Sequence, residues 1–198
     1  MIQVGAANWV RDLKGVTDPL GPNFWSEFTP ATEAELREAE KQLGRTLDAE
    51  FREFYLAVGY GYFPIFGGFD PPSKFIHQVG SPIYFITGSL TPGAEWATED
   101  EHQRLWLSRG LQNPDPARFT DETLTLEGVK LYDLLLFGGD GVCCYHCLYI
   151  GPEPAPLRYC LLTSFGMEDP RDTFSEGLWR ILELQLEENE DNEDDKDD

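Results

Sequence analysis

The sequence predicts an α+β fold, with an N-terminal helical hairpin and a C-terminal helix packed on a largely antiparallel sheet. Three observations lead there. Two stretches between residues 32 and 59 carry apolar residues at helical spacing, the region beyond breaks into short apolar runs punctuated by Gly and Pro, and a last helical period closes the chain. The order helix pair, strands, closing helix is that of an α+β protein.

Residues 1–30 form an N-terminal arm without clear periodicity, whose Phe24, Trp25 and Phe28 are expected to lie over the core. "TEAELREAEKQLG" then supplies Thr32 as N-cap with Glu35 three positions on, a capping box, followed by Leu36, Ala39 and Leu43 at helical spacing and Gly44 as the stop. Asp48 caps a second helix in which Phe51, Phe54, Tyr55 and Val58 form one apolar stripe, ended by Gly59. From Tyr60 onward, "YGYFPIFGGFDPP", "KFIHQV" and "PIYFIT" read as strands and turns. Residues 88–130 are the least regular, with a short helix at "EDEHQRLWLSRG" and a loop at "LQNPDPARFTDE", and suggest an insertion or binding lobe. "LYDLLLF", "FGGDGVCCYHCLYI" and "LRYCLLTSF" suit an antiparallel meander. Asp172 is placed as the cap of a closing helix with Phe174, Leu178, Ile181, Leu182 and Gln185 on one face. The expectation is a single domain over 1–186 and an acidic disordered tail over 187–198. "FGGFD" at 66–70 and "FGGDG" at 137–141 echo each other and read only as two turns of similar chemistry.

Charge narrows the function classes. The 198 residues include 36 acidic and 15 basic ones, a net of −21, of which the last twelve positions contribute nine acids and one lysine. A surface of that sign repels nucleic acid and anionic membrane and attracts basic partners at long range. The start, "MIQVGAANWV", has no basic n-region, and no apolar run is long enough to span a bilayer, so a cytoplasmic location with reduced cysteines is expected.

The chemistry-bearing cluster is "CCYHC". In a strand over 142–150, Val142, Cys144, His146, Leu148 and Ile150 share one face, and Cys143, Tyr145, Cys147 and Tyr149 the other. Cys143 and Cys147 would stand ~13 Å apart, whereas zinc ligands lie within roughly 4–5 Å of one another. Only Cys160, His77 and His102 remain to complete a site with Cys144 and His146, so no metal or other cofactor is assigned and the cluster is read as core. G-x-S-x-G, H-E-x-x-H and G-x-x-x-x-G-K-[ST] are absent, and no catalytic residue is assigned.

The block "TEAELREAEKQLGRTLDAEFREFYLAVGYGYF" resembles the N-terminal signature of the SUKH superfamily, which holds bacterial toxin-immunity proteins and fungal cell-wall-assembly regulators. Leu43-Gly44, Leu47, Phe51, Arg52, Phe54, Tyr55 and Gly59 occupy the positions of that pattern. Phe137-Gly138-Gly139-Asp140-Gly141 stands where its members carry a glycine turn before a strand, and "DTFSEGLWRIL" is similar to their closing helix. Asp48 replaces the usual proline, and residues 88–130 have no counterpart in the pattern.

The resemblance implies an immunity protein that binds and neutralises a cognate bacterial toxin by direct contact and without catalysis or cofactor, and the acidic charge fits a basic toxin, a nuclease among the candidates. Contacts are expected at Tyr60, Tyr62, Phe66, Asp70 and Asp140 around the two glycine turns, and at Glu99, Asp100 and Glu101 on the irregular lobe. Core packing is the alternative for the aromatics and a solvated face for the acids. Two other functions remain open: a scaffold or regulatory module of the same fold, and a Cys/His metalloprotein or thiol enzyme.

Overall fold

A computed structural model describes residues 9–17, 24–63, 67–77, 125–126, 128–130, 133–139, 144–163 and 166–194. "PIYFIT", the helix and loop expected within 98–122, and the positions Phe66, Glu99, Asp100, Glu101, His102, Asp140, Val142 and Cys143 lie outside the described residues.

The N-terminal arm holds a helix that the sequence did not reveal, α1 (Trp9–Val16). Its Trp9, Val10 and Leu13 are buried, and the Trp9 indole N–H donates to Glu53 Oε2 at 2.8 Å. Phe24, Trp25 and Phe28 pack beyond it as expected, edge-on to one another and around Phe63.

α2 (Glu33–Leu43) and α3 (Ala49–Ala57) form the predicted hairpin. Thr32 and Glu35 close the capping box, and Gly44 ends α2 in the left-handed region at φ 64°. Asp48 caps α3 by accepting from the N–H groups of Glu50 and Phe51. Arg52 of α3 clasps α2 through Glu33 Oε1 at 2.7 Å and Glu40 Oε2 at 2.9 Å. Glu40 also accepts the Leu47 N–H at 3.0 Å, so one carboxylate ties the joint to both helices.

Among the described residues the strands are β1 (Tyr62–Phe63), β2 (Gly67–Phe69), β3 (Ile76–His77), β4 (Thr125–Leu126), β5 (Val129–Lys130), β6 (Leu134–Gly139), β7 (Cys144–Tyr149), β8 (Tyr159–Thr163) and β9 (Gly166–Arg171). Seven of them make one antiparallel sheet in the order β1-β2-β6-β7-β8-β9, with β3 beside β2 along the same edge of β6. β4 and β5 pair with each other, giving regular structure to the C-terminal end of the stretch read as an irregular lobe. β9 was not foreseen, because its "GMEDPR" lacks apolar alternation. It lies at the sheet's edge, where a proline leaves no ladder bond unmade.

The last helix among the described residues is α4 (Phe174–Asp194). Its cap is Thr173 rather than Asp172: the Thr173 hydroxyl accepts from the Glu176 N–H, and Glu176 Oε2 accepts from the Thr173 N–H, both at 3.2 Å. The side chain that meets the third helical N–H makes the cap, and that is Thr173. Glu50 of α3 satisfies another end group, accepting from the Ser175 N–H at 3.0 Å. The helix continues through Glu187 to Asp194, where a disordered tail was expected from 187. Propagating a helix that is already docked costs little per residue, and Arg180 offsets some of the acid repulsion by pairing with Glu183 and Glu187.

Both faces of the sheet are buried. Leu135, Phe137, Leu148, Ile150, Tyr159 and Leu161 pack under the helices with Phe51, Phe54, Phe174, Leu178 and Ile181. On the reverse face Leu134, Leu136, Cys147, Tyr149, Cys160, Leu162 and Met167 form a second cluster with Val129 and Leu157. Each fully buried large side chain contributes on the order of 1.5–3 kcal/mol, so the ring-rich first cluster holds most of the apolar stabilisation.

Candidate interaction surface

The cysteine–histidine segment divides as strand alternation requires. His146, Leu148 and Ile150 lie on the helix side, and Tyr145, Cys147 and Tyr149 on the reverse. His146 is completely buried. Its Nδ1 is 2.9 Å from the Tyr159 hydroxyl, and its ring meets Phe69 edge-on at 5.1 Å. That contact spans two strand spacings and is possible because Gly138, which pairs with both His146 and Phe69, puts no side chain between them. Burial holds the Tyr159 hydroxyl well above its usual pKa, with nearby thiols and Asp169 adding to it. Cys147 and His146 point away from each other across the sheet. Among the described residues, no three His, Cys, Asp or Glu side chains converge.

The two Phe-Gly-Gly runs are not independent turns. Gly67 and Gly68 belong to β2 and Gly138 and Gly139 to β6, and the strands pair Gly68 with Gly139 and Phe69 with Gly138. A Cβ on Gly68 would come within 2.3 Å of the Gly61 carbonyl oxygen, and one on Gly138 within 2.1 Å of that of Gly68. The backbones approach too closely for any other residue, which accounts for the echo that the sequence reading set aside.

The register extends this strip into a row, Tyr62–Gly68–Gly139–Tyr145–Leu162–Met167, across five neighbouring pairs. Two tyrosines, about 14 Å apart at ~4.8 Å per strand, thus flank a glycine floor at one end of the reverse face. Tyr62 is 62% exposed; Tyr145 is half-buried against the second cluster. Tyr145 was not among the residues singled out in the sequence, where the echo of the two glycine runs was the one signal of this row.

The remaining described candidates sit around this end. Tyr60 is half-buried against the helix-side core, and its backbone bonds to Thr29 in both directions, at 2.8 and 3.0 Å. Gly59 makes that bridge possible: a Cβ there would lie 1.8 Å from the Thr29 carbonyl oxygen, and φ is +99°. Asp70 follows β2, its N–H donating to the Phe137 carbonyl at 2.7 Å. The buried Tyr55 hydroxyl donates to the Asp70 carbonyl at 3.0 Å and approaches that of Phe137 at 3.4 Å, pinning the chain from below. Burial raises the half-buried Asp70 carboxyl above its usual pKa, and Lys74 offsets part of that rise. The structure thus brings Tyr60, Tyr62 and Asp70 to one end of the sheet. It offers an exposed ring, a glycine floor and a carboxylate.

Among the described residues, no helix is long and apolar enough to cross a membrane. Comparison with curated proteins and with solved structures gave no match. The model of the SMI1 / KNR4 family (SUKH-1) matches residues 30–178, from just after Thr29 through the first turn of α4, including the capped hairpin and both glycine pairs. With more than half of its length matched, the chain belongs to the SMI1 / KNR4 family (SUKH-1).

Proposed function

We propose that this protein is an immunity protein that binds a cognate, basic bacterial toxin in the cytoplasm and neutralises it by direct contact, without catalysis or cofactor. The observation that carries this reading is membership of a family that includes immunity proteins. The net charge of −21 supports it, since a complementary field raises association rates with a cationic partner and discriminates against others.

The proposed contact surface is the glycine-strip end of the sheet, with Tyr62 as the exposed anchor beside Tyr60 and Asp70; Phe66 and Asp140, which adjoin the two glycine runs in the sequence, are proposed to contribute. Glu99, Asp100 and Glu101 are proposed to steer the toxin. An exposed tyrosine brings a large contact area at little entropic cost, and a carboxylate beside it favours arginine or lysine on the partner.

Co-expression with the product of the adjacent upstream gene tests the function. Cells should survive that gene only when this protein is present, and the two proteins should co-purify. Equal survival with and without it would leave a scaffold or regulatory module as the better account.

A further inference from the structure

Cys147 on β7 and Cys160 on β8 are directly opposed partners in the sheet. Both are free thiols and completely buried in the cluster on the face away from the helices. Burial, then the adjacent Cys160 thiol, pushes the Cys147 thiol well above its ordinary range, so Cys147 stays protonated at neutral pH while the sheet is closed. Nothing in the contact surface uses it.

The backbone shows what this pair can do. The Tyr149 N–H donates to the Arg158 carbonyl toward β8 at 2.9 Å, whereas the Ile150 N–H donates to the Asp133 carbonyl beside β6 at 2.8 Å. Amide directions alternate along a strand, so Cys147, two residues before Tyr149, also faces β8. Cys147 and Cys160 are therefore a hydrogen-bonded antiparallel pair, with Cα atoms ~5.5 Å apart, inside the ~4.4–6.8 Å span of a disulfide. Their Cβ atoms stand near the ~5.5 Å end of the cross-strand range, wider than the ~3.8 Å of a relaxed bridge. A disulfide there can form but is strained, and strained bridges are the readily reduced ones.

We propose that Cys147 and Cys160 are a latent, reversible cross-strand disulfide, closed by a peroxide and reopened by a small dithiol. Hydrogen peroxide oxidises one thiol to a sulfenic acid and leaves as water; the other thiol then attacks the sulfenic sulfur and expels a second water. Two thiols and one peroxide thus give one disulfide and two waters. The oxidant is small enough to enter during local opening of the sheet. Cys144 does not compete, because the alternation of β7 places it on the other face. Closure staples β7 to β8 around the twelve residues between them and narrows the unfolded ensemble.

The test uses the intact wild-type protein. After hydrogen peroxide, remaining thiols are alkylated under denaturing conditions and the chain is cut with chymotrypsin after Tyr145, Tyr149 and Tyr159, which separates Cys144, Cys147 and Cys160. A linked Cys147–Cys160 peptide pair that dithiothreitol abolishes, with a reversible rise in Tm on the order of 5 °C, is the expected result. Full alkylation of both thiols at peroxide doses that oxidise Cys144 would overturn the proposal. So would sulfinic acids without a link, or a link between any other pair. The Tm rise should vanish in Cys160→Ala; if that variant does not fold, the wild-type peptide map alone decides.

Discussion

Replacing Gly177 by alanine sets two physical effects against each other. Gly177 lies inside α4, where helix propensity alone favours alanine by ~1 kcal/mol. The added Cβ, however, would lie 2.1 Å from Tyr159 Cδ1 and 2.2 Å from Cγ, whereas ordinary contacts begin at 3.4 Å. Relief requires a movement of more than 1 Å. The ring is 1% exposed, and its hydroxyl is tied to His146 Nδ1 at 2.9 Å. Overpacking costs about 1–3 kcal/mol, and breaking the hydroxyl–imidazole bond to escape it leaves buried polar groups unpaired at a further ~1–3 kcal/mol. The clash therefore wins, and Gly177→Ala should destabilise by roughly 1–3 kcal/mol, lowering Tm by about 3–10 °C. Urea unfolding followed by tryptophan fluorescence measures this directly. In a Tyr159→Ala background the same change should become neutral or stabilising, a coupling that a double-mutant cycle resolves. A higher midpoint for the single variant would refute the close packing of α4 on β8.

Other outcomes follow from the surface, the caps and the glycine register. Tyr62→Ala should weaken binding of the proposed toxin partner by several-fold in a titration, while leaving the urea midpoint within about 0.5 kcal/mol of wild type, as expected for an exposed side chain. Because burial raises the folded Asp70 pKa, this group's contribution to stability is complete below the ordinary carboxylate pKa and is lost as pH rises through the raised value. Asp70→Asn should accordingly be more stable than wild type at neutral pH, with the difference disappearing in acid when midpoints are compared across pH. Thr173→Ala removes the cap of α4 and should cost about 1 kcal/mol in the same assay. Gly68→Ala should greatly reduce the folded fraction by circular dichroism, because its Cβ meets the Gly61 carbonyl oxygen rather than a movable side chain.

Local chemistry carried much of the architecture. The Thr32–Glu35 box, the Asp48 cap and the Gly44 stop act within a few residues, and α2 and α3 follow from them with their buried stripes. The pleat is equally local, so the division of His146 from Cys147 could be read from their spacing. Membership of the SMI1 / KNR4 family (SUKH-1) was legible in the same residues.

Tertiary structure decided whatever depended on neighbours distant along the chain. α1 is held by Trp9 against Glu53, Phe54 and Phe174, partners that no local window contains. β9 is a strand because β8 offers it a ladder, and Thr173 displaced Asp172 as the cap because of how the chain enters α4. The glycine echo, the Tyr62–Tyr145 row and the opposed thiols are all consequences of register. Register joins residues about seventy positions apart for the glycines and thirteen for the thiols, and no periodicity within either segment encodes it.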